Sequence, residues 1–182
     1  MRIIFLTLSA SLLLAACGKK ESSPAPAAAP AQQQAAAGGA ENSRTYFSLP
    51  GASGGKVDLA SYAGKPVMVF FFSKTCPYCR EAGPFVEKVY SKYGPKGLNV
   101  VGICVEDSAE AALGFAKATG VTFPLAYGGA STSALYRTRG VPYIFLLDKN
   151  HDVYDVWEGY DPAADQSIIS GVENLLAGKK RS

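Results

Sequence analysis

Residues 67–81 read VMVFFFSKTCPYCRE, and this stretch decides the fold. Residues 67–72 are all apolar, without polar alternation, which is typical of a strand covered on both faces, as in a parallel sheet. The motif Cys76-Pro77-Tyr78-Cys79 follows, at the start of a predicted helix. Two thiols at this spacing can close a small disulfide, and the unpaired N–H groups of a helix start favour a thiolate on Cys76. The stretch therefore predicts thiol–disulfide chemistry.

The amino-terminal residues predict an export signal that is not part of the fold. Residues 1–16 carry one charge, Arg2, and an apolar run too short to span a membrane. The run ends in Leu14-Ala15-Ala16-Cys17, which resembles the bacterial lipobox and implies cleavage before Cys17 with lipid attached to it. An ordinary secretory signal with a chance cysteine is the alternative. Gly18, where Asp would resemble an inner-membrane retention signal, favours the outer membrane.

Composition divides the rest of the chain into a linker, a domain and a tail. Residues 17–43 are rich in Ala, Pro and Gln and lack aromatic residues, so we predict a lipid-anchored disordered linker. Residues 44–178 form the predicted domain, and residues 179–182 are a basic tail. We expect Lys179-Lys180-Arg181 to be solvated rather than a lipid or nucleic-acid site. The net charge of +3 is too small to indicate nucleic-acid binding.

The four cysteines fit one redox pair better than a framework of structural disulfides. Lipidation of Cys17 leaves Cys76, Cys79 and Cys104, in a predicted compartment that permits disulfides. Cys104 lies inside an apolar predicted strand, so we expect an inert core cysteine.

The order of predicted elements indicates an α/β fold: a central mixed sheet with helices on both faces and an N-terminal hairpin extension. The predicted strands are 45–49, 56–59, 67–72, 98–105, 123–126, 141–147 and 153–157; the predicted helices run from Cys76 to about 93, 108–118, 133–137 and 162–176. Reactive groups in such sheets gather where parallel strands end. We therefore expect Glu106 and Asp107 to lie near the dithiol.

Four pieces of the chain, in order, resemble the thioredoxin-fold thiol–disulfide oxidoreductases of the TlpA/ResA type. They are Gly64-Lys65-Pro66 with its apolar strand; Cys76-Pro77-Tyr78-Cys79-Arg80 with Pro84; Val100-Val101-Gly102 ending in Glu106-Asp107; and Gly140-Val141-Pro142 leading into Phe145-Leu146-Leu147-Asp148. Together they cover nearly the whole domain, so the resemblance implies a thioredoxin-like fold.

The resemblance also implies residue roles. Cys76 is expected to attack and Cys79 to resolve, with Val141–Pro142 as a cis peptide beside them. Val141 and Tyr143 flank this proline and are candidate substrate-facing residues. Pro77 and Tyr78 are counted with the same candidate substrate-binding surface.

The chain departs from the family pattern in three places. Many relatives have a Trp where Thr75 stands, and a Glu where Ala82 stands. Thioredoxins proper also bury an Asp in the strand beneath the dithiol, and residues 67–72 have none. A proton acceptor for Cys79 must then come from elsewhere. Glu106 is the first candidate, and a solvated strand-end acid is the alternative.

These observations favour a reductant of protein disulfides in the bacterial envelope, on the periplasmic side, supplied by an upstream thiol donor and needing no cofactor. Cytochrome c maturation and thiol repair are settings that this chemistry would serve. The alternatives are an oxidant or isomerase, a structural disulfide, a thiol peroxidase and a copper chaperone. The peroxiredoxin pattern is met at Ser73 but fails at Val69. The lone histidine, His151, falls in a predicted turn and is expected to be solvated rather than a metal ligand.

Overall fold

The computed structural model describes residues 44–181. The predicted signal peptide, the lipidation site Cys17 and most of the predicted linker lie outside the described residues. The strands are β1 (Ser48–Pro50), β2 (Lys56–Asp58), β3 (Val67–Phe72), β4 (Asn99–Cys104), β5 (Leu125–Ala126), β6 (Tyr143–Leu147) and β7 (Val153–Glu158). The α-helices are α1 (Pro77–Tyr93), α2 (Ala109–Thr119), α3 (Ala130–Leu135) and α4 (Asp165–Leu176).

Strand β3 is the centre of a five-stranded mixed sheet with the order β5-β4-β3-β6-β7. It runs parallel to β4 and antiparallel to β6. All six of its side chains are fully buried, as its unbroken apolar sequence predicts. β1 and β2 form a separate antiparallel hairpin. The predicted mixed sheet and its N-terminal hairpin extension are confirmed.

Alternate side chains of β3 enter two different core layers. Met68, Phe70 and Phe72 pack in the cluster that contains the buried residues of α1, α2 and α4. Their neighbours on the other face, Val69 and Phe71 among them, pack with the hairpin, with a 3-10 helix at Leu59–Tyr62 and with Tyr136 at the end of α3. This alternation follows from the two-residue repeat of a strand. Helices therefore cover both faces of the sheet.

Side-chain caps begin two of the helical elements. Asp58 Oδ1 accepts from the Ala60 N–H at 2.8 Å and begins the 3-10 helix. Ser108 Oγ accepts from the Ala111 N–H at 3.0 Å and begins α2, which Gly120 ends with a positive φ of 76°. Both caps satisfy backbone groups that a helix end leaves unpaired.

Several predicted boundaries are wrong by a few residues. β1 begins at Ser48, and α3 spans Ala130–Leu135 instead of 133–137. β6 begins at Tyr143, because Pro142 before it has no N–H for the sheet ladder. The last helix is a 3-10 turn, Pro162–Ala164, followed by α4.

His151 lies in a turn, as predicted, but its predicted solvation is wrong. The residue is 1% exposed, and its Nε2 lies 3.1 Å from the Tyr62 carbonyl oxygen. The start of the domain covers the turn, since Thr45 Oγ1 donates to the His151 carbonyl at 2.6 Å. A contact across 106 residues of sequence buries this histidine, and local patterns do not reveal it.

Gly102 in β4 is expected to tolerate no side chain. A Cβ built there would stand 2.5 Å from Leu125 Cδ2 and 3.0 Å from Phe123 Cε2. We expect Gly102→Ala to lower the free energy of unfolding by roughly 1–3 kcal/mol, because packed cores resist added volume. Urea denaturation checks this. Gly140→Ala is the control, since a Cβ there meets nothing within 4 Å; equal losses in both variants would contradict the account.

Candidate active site

Cys76 occupies the N-cap position of α1. Its backbone is extended, with φ −74° and ψ 117°, and Pro77 is the first helical residue. The Cys79 N–H donates to Cys76 Sγ at 3.2 Å, so sulfur takes the place that a capping oxygen usually holds. The positive end of the helix therefore points at this sulfur.

The loop before β6 lies against the same sulfur. The Val141–Pro142 peptide is cis, as the family resemblance implies. Cys76 Sγ lies 3.5 Å from the Val141 carbonyl oxygen and donates to it as a thiol. Val141 is half-buried and Pro142 is buried. The Pro142 carbonyl accepts from the Gly159 N–H at 2.9 Å, which ties the loop to the segment after β7.

The two thiols of the motif differ in access. Cys76 is partly exposed, whereas Cys79 is fully buried on the inner side of α1. Pro77 is exposed and Tyr78 is 62% exposed, so the turn between the cysteines faces solvent. Both cysteines are present as free thiols. A large partner can therefore reach Cys76 and cannot reach Cys79.

Burial raises the pKa of the Cys79 thiol far above its usual value. A hydrogen bond with the Cys76 side chain raises it further, and one from the Ser73 backbone opposes the shift. Cys79 is therefore protonated at neutral pH. It must lose a proton before it can act as a nucleophile.

The third thiol, Cys104, is fully buried at the end of β4, as predicted. It is not isolated, because its Sγ donates to Glu106 Oε2 at 3.3 Å. Burial raises the pKa of Cys104 to about 12, and the hydrogen bond to the Glu106 carboxylate also raises it. Cys104 and Cys79 share one core cluster, and charge on Cys104 also raises the pKa of Cys79.

Glu106 joins the end of β4 to the loop that leads into Cys76. Its carboxylate accepts from the Lys74 N–H at 2.9 Å and from Ser73 Oγ at 3.3 Å, besides the Cys104 thiol. Glu106 is therefore half-exposed but tied by hydrogen bonds to the loop before Cys76 and to Cys104. Asp107 does not join this network. Its Oδ1 lies beside Gly128 instead, 3.4 Å from the position that a Cβ on Gly128 would occupy.

A groove of about 540 Å³ extends from Tyr78 and the cis-proline loop to the end of β7. Tyr143 does not line it. Its side chain is 6% exposed and packs on the opposite face of the sheet, with the ring centroid 6.0 Å from that of Phe145. Strand alternation turns the Tyr143 side chain away from the groove, so any contact of Tyr143 with a substrate would use its backbone and stays a prediction.

Two aromatic groove residues, Trp157 and Tyr160, were not among the sequence-predicted site residues. The pairing of Trp157 with Ile144 brings the end of β7 beside the dithiol. Burial and a hydrogen bond to Asp165 raise the pKa of Tyr160 well above its usual value, so its hydroxyl stays protonated. Only the strand register reveals that these side chains reach the site.

His151 is at the wrong end of the sheet to join the dithiol as a metal ligand. It follows the end of β6, whereas Val141–Pro142 precedes its start. Within residues 44–181, no three His, Cys, Asp or Glu side chains form a group that could hold a metal ion. In the same residues, no helix is long and apolar enough to cross a bilayer.

The sequence profile of the AhpC/TSA family matches residues 42–162. The chain belongs to the AhpC/TSA family. Among its relatives, thiol-disulfide oxidoreductase ResA of Bacillus anthracis is 27% identical over 110 residues, which cover 60% of this chain and 64% of ResA. Thioredoxin-like protein YneN of Bacillus subtilis (strain 168) is 31% identical over 116 residues, covering 62% and 68% of the two chains. The match thus spans just under two thirds of that ResA sequence.

Solved structures agree with this family assignment. A Chlorobium tepidum protein, provisionally described as thiol:disulfide interchange protein DsbE, superimposes with a TM-score of 0.68 at 29% identity. The overlap covers 72% of this chain and 93% of that one. A Bacteroides thetaiotaomicron protein, provisionally described as a protein disulfide isomerase, gives a TM-score of 0.67 at 30% identity, over 72% and 86% of the chains. The AhpC/TSA member described here therefore has a thioredoxin-like fold.

Cys76, Cys79 and Cys104, the three thiols within residues 44–181, are expected to react with iodoacetamide in a fixed order. Cys76 should react first, because it is the only accessible one of these three. With a pKa of about 12, Cys104 has a thiolate fraction of about 10⁻⁴ at pH 8, and the pKa of Cys79 is raised as well. Peptide mass spectrometry of the reduced protein measures the order. Prior labelling of Cys79 or Cys104 would contradict the assigned burial.

Proposed function

We propose that this protein is an envelope thiol–disulfide oxidoreductase whose Cys76/Cys79 dithiol reduces disulfides in other proteins. One observation carries the proposal: Cys76 Sγ receives the Cys79 N–H at 3.2 Å at a helix start and lies 3.5 Å from the Val141 carbonyl. The accessible sulfur of Cys76 caps the helix, and the partner thiol of Cys79 is buried beside it. The names of relatives, thiol-disulfide oxidoreductase and thiol:disulfide interchange protein, support the same chemistry.

In the first step, the Cys76 thiolate attacks one sulfur of a substrate disulfide. A bond forms between Cys76 Sγ and that sulfur, and the other substrate sulfur leaves as a thiolate and takes a proton. The groove beside Tyr78 and Val141 holds the substrate segment next to its cysteine. Backbone groups of the cis-proline loop pair with that segment.

In the second step, Cys79 loses its proton and attacks Cys76 Sγ. The mixed disulfide breaks, the second substrate thiol leaves with a proton, and a Cys76–Cys79 disulfide remains. The substrate has gained two electrons and the dithiol has lost two. An upstream thiol donor then returns the pair to its reduced state.

The second step needs a proton acceptor, because burial holds the Cys79 thiol protonated. We assign this role to Glu106, because its carboxylate contacts the core cluster that contains Cys79, where it accepts from the Cys104 thiol at 3.3 Å. The bonds from Lys74 and Ser73 hold the carboxylate in place.

The cellular setting is part of the same proposal. Cys17 would carry lipid and residues 17–43 would tether the domain on the periplasmic side of the envelope, with the outer membrane favoured over the inner. We favour reduction over oxidation or isomerisation, in cytochrome c maturation or thiol repair. The peroxidase alternative has less support, since buried Val69 stands where the peroxide-reducing pattern requires proline.

The resolving-thiol variant Cys79→Ser is expected to trap substrate. It keeps the attacking sulfur and lacks the group that releases the mixed disulfide, so covalent adducts should accumulate. Cys76→Ser should trap nothing, and both variants should lose disulfide-reductase turnover. Non-reducing gels followed by mass spectrometry measure this. Equal trapping by the two variants would reverse or remove the assigned roles.

The Glu106→Gln variant is expected to slow turnover near pH 7 by roughly 10²-fold, the size of a general base contribution. Its rate should then rise with pH, because hydroxide replaces the lost acceptor while the wild-type rate levels off. Asp107→Asn is the matched control, with the same charge lost one residue away. A pH–rate profile measures both. Equal profiles for the two variants would remove Glu106 from the proton path.

A further inference from the structure

A second cavity, of about 580 Å³, lies at the end of the sheet opposite Cys76. Pro66 precedes the start of β3 there and Gly97 precedes the start of β4, while Asp148 follows the end of β6. Because β3 ends at the dithiol, this cavity is a strand length away from it. Five cationic residues line it: Lys96, Lys149, Lys179, Lys180 and Arg181.

Three of these cations are free to bind an anion. Arg181 pairs with Asp155 at 3.0 Å, and Lys96 lies over the Tyr93 ring. The other three, Lys149, Lys179 and Lys180, are exposed and make no ion pair within residues 44–181.

One acid, Asp148, stands in the cavity wall against the five cationic residues. Asp148 Oδ1 accepts from the N–H groups of Asn150 and Asp152, at 2.8 and 3.0 Å. The cavity wall therefore carries a net positive charge.

The basic tail joins this surface by folding back on α4. The Lys179 N–H donates to the Asn174 carbonyl at 2.9 Å, which turns the tail toward the start of β4 and the end of β6. Sequence alone predicted a solvated tail, since Lys96 and Lys149 are distant from it in the chain.

The domain also begins at this end. Thr45 Oγ1 donates to His151 in the turn that carries Lys149, and Tyr136 Oη donates to the Thr45 carbonyl at 2.5 Å. Residues 18–43, 26 in number, separate Arg44 from the proposed lipid on Cys17. A flexible chain of that length has an end-to-end distance of roughly 30 Å. The proposed anchor would therefore hold the basic cavity close to the bilayer.

The dithiol end offers no comparable positive surface. Charges of both signs lie close to the motif there: Lys74, Arg80, Glu81, Glu106 and Asp107. Cations thus outnumber acids in the cavity at the end where the chain enters.

We propose that the basic cavity binds anionic phospholipid headgroups of the bilayer, so that the anchored domain rests on this end and presents Cys76 away from the membrane. The proposal rests on the lipid-anchoring part of the proposed function. Lysines near an anionic surface each strengthen binding by roughly fivefold, and salt screens the effect.

Vesicle binding by the mature chain, residues 17–182 with Cys17→Ser, tests the surface without its lipid. We expect binding at low salt to phosphatidylethanolamine vesicles that contain phosphatidylglycerol, and its loss in high salt. The triple variant Lys149→Gln, Lys179→Gln, Lys180→Gln should bind about a hundredfold more weakly. The control triple Lys56→Gln, Lys88→Gln, Lys117→Gln removes equal charge from other exposed positions and should bind like the parent.

The single tryptophan reports the orientation. Trp157 lies in the groove at the dithiol end, so brominated lipids should leave its fluorescence unquenched in the bound protein. Strong quenching, equal losses in the two triple variants, or no binding to anionic vesicles at low salt would each overturn the proposal. Disulfide-reductase activity on a soluble substrate, measured in parallel, should be unchanged in both triples. If the parent protein lacks this disulfide-reductase activity, the result counts against the proposed function.

Discussion

The complete burial of β3 is the constraint on which the rest of this structure depends. Six apolar side chains with no exposure need cover on both faces, so β3 must be central and the helices must lie above and below it. After the carboxyl end of β3, only four residues precede the start of α1. That short exit leaves Cys76 at the helix start and turns Cys79 inward onto the same apolar layer.

The same burial makes the two thiols chemically different. Cys76 contacts a backbone N–H group and solvent. Cys79 is buried among aromatic and aliphatic side chains, and this burial raises the pKa of Cys79. An acidic residue in β3 would place a charge among the fully buried apolar side chains of that strand. Among the described residues, the nearby carboxylate with bonds into this region is that of Glu106, which reaches the site from the neighbouring strand end and contacts Cys104 and Lys74.

Elements governed by local sequence could be predicted, and contacts between distant segments could not. The apolar run 67–72, the caps Asp58 and Ser108 and the motif cysteines can each be recognised within a few residues. The burial of His151 depends on Thr45, and the groove position of Trp157 depends on strand register. Tyr143 shows the same limit, because one residue of strand alternation decides which face a side chain occupies.

The two ends of the sheet thus differ, with the proposed redox dithiol at one end and a positive surface with the chain entry at the other. The central claim is that Cys76 and Cys79 form a reversible two-electron couple from which Cys104 is excluded. The most direct test is equilibration in buffers of graded thiol–disulfide potential, followed by thiol trapping and peptide mapping. The account predicts a two-electron transition with a Cys76–Cys79 link and a free Cys104. A pair that never changes state, or a disulfide that includes Cys104, would contradict it.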